Sequence, residues 1–110
     1  MEALEASRII TDEYSVKILM ATFQNPKTAI ELSREMDIPI AACYRRIRSL
    51  EQSGLLRCAE FRPSLDGKRI AAYESLLQRA VVSIENGSMK TRFEKINGDC
   101  EDYDASWRDI

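Results

Sequence analysis

Three arginines within four positions, Arg45, Arg46 and Arg48, are the side chains of this sequence best suited to holding an anion. A guanidinium is a planar fork of N–H donors that pairs bidentately with a phosphate or with the O6/N7 edge of guanine. Just ahead of them stand the small residues Ala41 and Ala42, with Tyr44 and Ser49 adding hydroxyls nearby. Small side chains at the leading end of a helix permit close approach to base edges in a groove about 12 Å wide. A second basic group, Arg62, Lys68 and Arg69, surrounds Pro63 and Asp66-Gly67 and suits contacts to phosphate or to a minor groove. At a third point Lys27 precedes Thr28, where the free amides of a helix start can meet a phosphate; Thr28 itself reads as the helix cap. Most charged helix faces are merely solvated, so phasing has to decide whether these groups converge.

The arginine run falls on a helix predicted over Ile40–Ser53 and closed by Gly54, a residue tolerant of the left-handed conformation. At 100° per residue, Cys43, Ile47 and Leu50 align as the buried stripe, while Ala41, Arg45, Arg48 and Gln52 point the opposite way. Ala42 and Ser49 lie at one margin, with Tyr44 and Arg46 on the flanks; Tyr44 suits either a phosphate contact or packing against the preceding helix. That preceding helix opens at Thr28-Ala29-Ile30-Glu31, a capping-box sequence, and is interrupted at Asp37-Ile38-Pro39. Before it, Thr11–Gln24 reads as a helix capped by Thr11. Tyr14, Ile18 and Ala21 share one face, and Val16, Leu19, Met20 and Phe23 spread apolar surface around the rest, as in a helix buried on several sides. Asn25-Pro26 ends it.

After Gly54 the period shortens to that of strands. Leu55–Phe61 and Arg69–Glu74 form a hairpin whose tip carries the second basic group. Asn86-Gly87 predicts a second hairpin through a type I′ turn, with Glu85 opposite Ser88, Ile84 opposite Met89, Val82 opposite Thr91 and Ala80 opposite Phe93. That register puts Val82, Ile84, Met89 and Phe93 on one face and Ser83, Lys90 and Arg92 on the other. Leu76–Arg79 fits either the start of this strand or a helical turn.

The 110 residues suffice for one core, with 16 Lys+Arg against 18 Asp+Glu and a net charge of −2. Sorted by segment, the charge is uneven. Ile38–Tyr73 holds seven bases and three acids, a net of +4, whereas Glu94–Ile110 holds six acids and two bases, a net of −4. No run approaches the ~20 apolar residues of a membrane span, and the first ten residues lack the layout of a signal peptide, so a soluble, cytoplasmic domain is expected. The absence of His removes imidazole catalysis and His-ligated metal sites, and no phosphate-binding Gly-rich loop or activated nucleophile is present. An enzyme is not expected. Cys43, Cys58 and Cys100 are too widely spaced for a C-x-x-C pair and read as free thiols, with Cys43 packed in the core.

Three helices followed by a basic-tipped hairpin make an α+β winged helix-turn-helix, here with an additional C-terminal β-hairpin. From Ile9 to Tyr73, and most clearly over Tyr44–Leu56 (YRRIRSLEQSGLL), the chain resembles the ArsR-like group of winged-helix transcriptional regulators, in particular its compact archaeal branch. The later hairpin is similar to one appended in some archaeal members. The resemblance implies sequence-specific binding of double-stranded DNA by a homodimer, with the helix over 40–53 in the major groove and the wing over 62–69 on the flanking backbone. It stops short of metal sensing. The stretch that carries a Cys-rich metal motif in the sensors reads Glu31-Leu32-Ser33-Arg34-Glu35-Met36 here, so no metal and no cofactor are expected.

The expected organisation is an N-terminal arm over 1–10, the winged helix-turn-helix over 11–75, a hairpin over 76–96 for dimerisation or sheet extension, and a mobile acidic tail over 97–110. The alternative reading is a winged-helix adaptor that binds proteins and not DNA. The pI of 5.2 and the acidic tail favour it; a second role open to that tail is to compete with DNA by lying over the basic face.

Overall fold

Residues 1–10 are not an arm. In the computed structural model, which describes residues 1–109 and leaves Ile110 outside, the chain begins with α1 (Ala3–Thr11). Ala3, Ala6 and Ser7 form its buried stripe at helical spacing, and Thr91 Oγ1 donates to Ala3 O at 2.9 Å, pinning the helix to a strand 88 residues away. Asp12 then turns extended (φ −69°, ψ 123°) and accepts from the Ser15 N–H at 2.9 Å. The cap of α2 (Glu13–Ala21) is therefore Asp12, one residue after the expected Thr11. That helix also has an open side: Met20 is 73% exposed and Phe23, just beyond its end, 41%.

Thr28 makes the capping box the sequence predicts: its hydroxyl accepts from the Glu31 N–H, and the Glu31 carboxylate accepts from the Thr28 N–H. The helix so opened, α3 (Ala29–Met36), ends at Asp37 in the left-handed region (φ 55°). After Pro39 comes α4 (Ile40–Gln52), with Cys43, Ile47 and Leu50 buried as the phasing requires and Ala42 buried beside them. Gly54 (φ 76°) turns the chain out of α4.

The wing is an antiparallel sheet of β1 (Lys27–Thr28), β2 (Leu56–Pro63) and β3 (Arg69–Ser75), in the order β1-β3-β2, with a bulge between Cys58 and Glu60. Leu76 joins it to a second sheet: its N–H donates to Leu55 O at 2.8 Å and its carbonyl accepts from the Ile96 N–H at 2.9 Å. The second sheet, order β4-β5-β6, comprises β4 (Leu77–Glu85), β5 (Ser88–Lys95) and β6 (Cys100–Ser106). Leu77 begins β4 directly, with a register shift between it and Arg79 and no helical turn. Asn86 (φ 50°) and Gly87 (φ 77°) are the two turn residues, and the four pairings predicted from them are those found.

The tail needs correction. Residues 100–106 form a strand along β5, with Phe93 opposite Glu101, Thr91 opposite Tyr103 and Met89 opposite Ala105. Its inward residues are anchored. The Tyr103 ring meets Phe93 edge-on at 5.7 Å, Ala105 is buried, and Glu101 pairs with Lys95. The acidic residues Asp102 and Asp104 are left on the exposed side, which is why charge alone reads as a solvated tail.

Ile18, Leu32, Ile47, Leu50, Leu55 and Phe93 share one core beneath both sheets. Burying each such side chain stabilises the fold by about 1.5–3 kcal/mol, so truncating the fully buried Leu50 to Ala is expected to cost ~2–5 kcal/mol. The architecture is an α+β winged helix-turn-helix whose predicted C-terminal hairpin is widened by β6 and whose first helix is preceded by another. No helix among the described residues is long and apolar enough to cross a membrane.

Candidate nucleic-acid interface

Because Cys43, Ile47 and Leu50 hold α4 against the core, the helix has only one face left for solvent. Ala41, Tyr44, Arg45, Arg48, Ser49 and Gln52 occupy it, all exposed. Tyr44 is half exposed, with its ring outside the core. Among the described residues neither Arg45 nor Arg48 has an ion pair, so both guanidinium groups are open to an external anion. Ala42, by contrast, is turned inward, only 5% exposed, and cannot touch a groove floor.

Arg46 does not join them. Its Nε donates to Asp12 Oδ2 at 2.8 Å, its Nη2 to Asp12 Oδ1 at 3.1 Å, and its guanidinium lies 5.7 Å from the centre of the Tyr14 ring. The paired guanidinium holds the Asp12 carboxyl down at about 2, and Asp12 in turn raises the Arg46 pKa. Arg46 clamps α4 to the start of α2 and leaves the presentation of charge to its neighbours. The reason for the correction is a carboxylate 34 residues distant, invisible to helix phasing.

A similar fate meets part of the wing. Arg62 Nη1 donates to Glu31 Oε1 and Nη2 to Pro26 O, both at 2.8 Å, with Glu60 at 3.6 Å. It latches the base of the hairpin onto the start of α3. Glu31 is held below its ordinary pKa first by the Thr28 amide and then by the nearby charges of Arg62 and Lys27. Lys27 is itself engaged by Glu35 at 2.7 Å, and Thr28, 8% exposed, serves as the cap. Lys27, Thr28 and Arg62 are thus committed to the fold. Lys68 and Arg69 remain exposed at the wing, with Arg69 stacked 5.1 Å from the centre of the exposed Phe61 ring.

The tip is preorganised. Asp66 Oδ1 accepts from the Lys68 N–H at 3.1 Å and from the Ser64 hydroxyl, while Ser64 Oγ also reaches Lys68 O at 2.9 Å. Leu65 stands fully exposed beyond it. Between wing and α3 lies an open hollow of about 880 Å³, lined by Ile30, Arg34, Leu65, Lys68 and Arg69 among others.

Two cations on this side were not singled out by the sequence. Arg8, on α1, borders a shallow depression of about 270 Å³ together with Arg45, Arg46 and Ser49. Arg34 borders the hollow beside the wing. Both follow α4 or the wing in space and not in sequence. Arg8 becomes visible only once 3–11 is known to be a helix. The surface therefore offers exposed cations from α1 (Arg8), α4 (Arg45, Arg48), α3 (Arg34) and the wing (Lys68, Arg69).

A family model described as a helix-turn-helix domain matches residues 15–59, from the first turns of α2 through α3 and α4 into β2. No curated protein matches the chain.

Proposed function

We propose that this chain is a DNA-binding transcriptional regulator of the ArsR-like winged-helix type, acting as a homodimer. In this reading α4 enters the major groove and the β2–β3 wing lies on the flanking backbone. The observation that carries it is a division of labour among the arginines. Arg46 and Arg62 are consumed by internal carboxylates, while Arg45 and Arg48 face outward on α4 with no ion-pair partner among the described residues. An exposed cation is well hydrated and gains little from a surface acid, so the support comes from position: Arg45 and Arg48 lie together on the face opposite the buried stripe of α4, beside the small, exposed Ala41. The helix-turn-helix match over 15–59 supports the same assignment.

The roles divide accordingly. Arg45 and Arg48 fork onto base edges or phosphates, Ala41 allows close approach, Tyr44 and Ser49 donate to backbone oxygens, and Lys68 and Arg69 neutralise flanking phosphates. Binding releases counterions, so affinity falls steeply with salt. The test is fluorescence anisotropy with duplex DNA from upstream of the chain's own gene, comparing wild type with the Arg45→Ala/Arg48→Ala double variant across ionic strength. Each lost bidentate contact is expected to weaken binding by about 1–3 kcal/mol, and each lost phosphate contact to flatten the salt slope by about 1. Equal affinity and equal slope for the two proteins would overturn the reading. The adaptor alternative predicts that outcome.

A further inference from the structure

β4 is one of the two edges of the second sheet, β6 being the other. The turn at Asn86-Gly87 makes Glu85 and Ser88 a hydrogen-bonded pair, and alternation then assigns the backbone groups of Ser83, Val81 and Arg79 to β5. The N–H and C=O groups of Ala80, Val82 and Ile84 consequently point away from the sheet. The same three residues place their side chains on the face that buries Phe93 and Thr91, yet Val82 is 39% and Ile84 78% exposed. A long edge with outward apolar residues is a template for another strand.

The composition of this edge selects its occupant. We propose that β4 pairs antiparallel with β4 of a second copy of the chain, about a two-fold axis at Val82. This carries the homodimer of the proposed function to a specific interface, but it rests on the edge itself and is read without DNA. With Val82 opposite its own mate, Ala80 faces the partner copy's residue 84 and Arg79 faces its residue 85. Three consequences follow from that one register. The outward backbone groups of 80, 82 and 84 satisfy each other reciprocally, joining two three-stranded sheets into one. Arg79 meets a glutamate on each side, Glu94 of its own chain at 3.4 Å and Glu85 of the other copy, and by symmetry this pairing occurs twice. Finally, an isoleucine is delivered beside Ala80, at a groove of about 410 Å³ lined by Met20, Phe23, Leu77 and Ala80. That groove accounts for the open side of α2. Shifting the register by one residue would set apolar against polar faces, and shifting it by two would separate the Arg79 and Glu85 charges.

The experiment measures mass by sedimentation equilibrium on the full chain without DNA. Wild type is expected to be a dimer. Glu85→Arg places an arginine opposite Arg79 at both ends of the interface and is expected to raise the dissociation constant about tenfold or more. Adding Arg79→Glu to it restores opposite charges and is expected to recover most of the loss. As a positive test, Val82→Cys in a Cys58→Ser/Cys100→Ser background is expected to cross-link to itself on mild oxidation, whereas Gly87→Cys in that background is not. A monomer at all concentrations, or a dimer indifferent to Glu85→Arg and refractory to cross-linking at 82, would overturn the β4 interface. The second of these outcomes leaves a DNA-binding dimer standing with its contact elsewhere, and loss of DNA binding by the Arg45/Arg48 variant is scored independently of both.

Discussion

Asp12 accepts two hydrogen bonds from Arg46, at 2.8 Å and 3.1 Å, while also capping α2 through the Ser15 N–H at 2.9 Å. One carboxylate thus starts α2 and fixes the rotation of α4 about its axis. If Arg46 held α4 from the side, Arg45 would be carried outward on the next 100° of the helix. The geometry agrees, since Arg45 is exposed and Arg46 is not fully so.

This relationship has a pH signature. The Asp12 carboxyl titrates at about 2 in the folded chain against an ordinary 3.8, so folding holds it deprotonated. Its contribution is fully present above the unfolded value and is lost as pH falls from about 4 through about 2. Asp12→Asn keeps a competent cap but removes the charge. At pH 5 it is expected to cost about 1–2 kcal/mol after allowance for solvent screening, measured by urea unfolding. The deficit relative to wild type should shrink steadily on acidification below pH 4. A deficit independent of pH would mean that the Arg46 pair contributes only geometry.

The latch at the wing base separates into two parts by substitution. Thr28→Ala removes the cap and is expected to cost about 1 kcal/mol. Glu31→Gln preserves an acceptor for the Thr28 N–H but loses the charge that holds Arg62 at 2.8 Å. It is therefore expected to destabilise less than Glu31→Ala while loosening the wing. Faster amide exchange across β2 and β3 in Glu31→Gln, with α3 unchanged, is the outcome to look for. Exchange across β2 and β3 unchanged from wild type would show that Pro26 O and Glu60 suffice to hold Arg62.

The last strand makes its own prediction. Tyr103 donates to Glu101, which lifts the phenol to about 12, and its ring packs on Phe93. In an alkaline titration followed by tyrosine absorbance, Tyr103 should ionise well after the ordinary range, and Glu101→Gln should bring it back down while leaving Tyr73, raised by burial, where it was. Tyr103→Ala is expected to cost about 2 kcal/mol, combining the lost aromatic pair with lost burial. Amides in 100–106 that bond to β5 should exchange slowly. Rapid exchange throughout that segment would restore the picture of a mobile acidic tail, able to compete with DNA.

Where local chemistry decides, the sequence was readable. The Thr28–Glu31 capping box, the buried stripe of α4 and the Asn86-Gly87 register each depend on residues within a turn or two of one another, and all three are found in the structure. What escaped depends on partners far along the chain. Helix α1 is held by Thr91, Arg46 by Asp12, Arg62 by Glu31 and Pro26, and β6 by the two aromatic rings and the Lys95–Glu101 pair. In β6 only alternate residues face the core, and two of those three are Glu101 and Tyr103, so the segment carries almost no hydrophobic period to detect. Ala42 failed for a subtler reason: a residue at the margin of a stripe goes in or out with a small rotation of the helix, and the Arg46 clamp sets that rotation.

Thiol chemistry provides the last check on how α4 sits. Cys43 is fully buried, its Sγ donates to Ala29 O at 3.5 Å, and burial pushes its pKa up, all of which suppress the reactive thiolate. Cys100 is exposed and Cys58 half buried. A disulfide reagent added to native protein is therefore expected to modify Cys100 at once and Cys43 only at the rate of unfolding, with all three reacting in strong denaturant. The cleanest form uses Cys58→Ser/Cys100→Ser, in which the remaining thiol reports on the core side of α4 alone. Its modification should slow further when core packing is strengthened and accelerate in Leu50→Ala, tracking global stability. Reaction within seconds in the native double variant would mean that α4 rocks away from the core, and the outward presentation of Arg45 and Arg48 would then be one orientation among several.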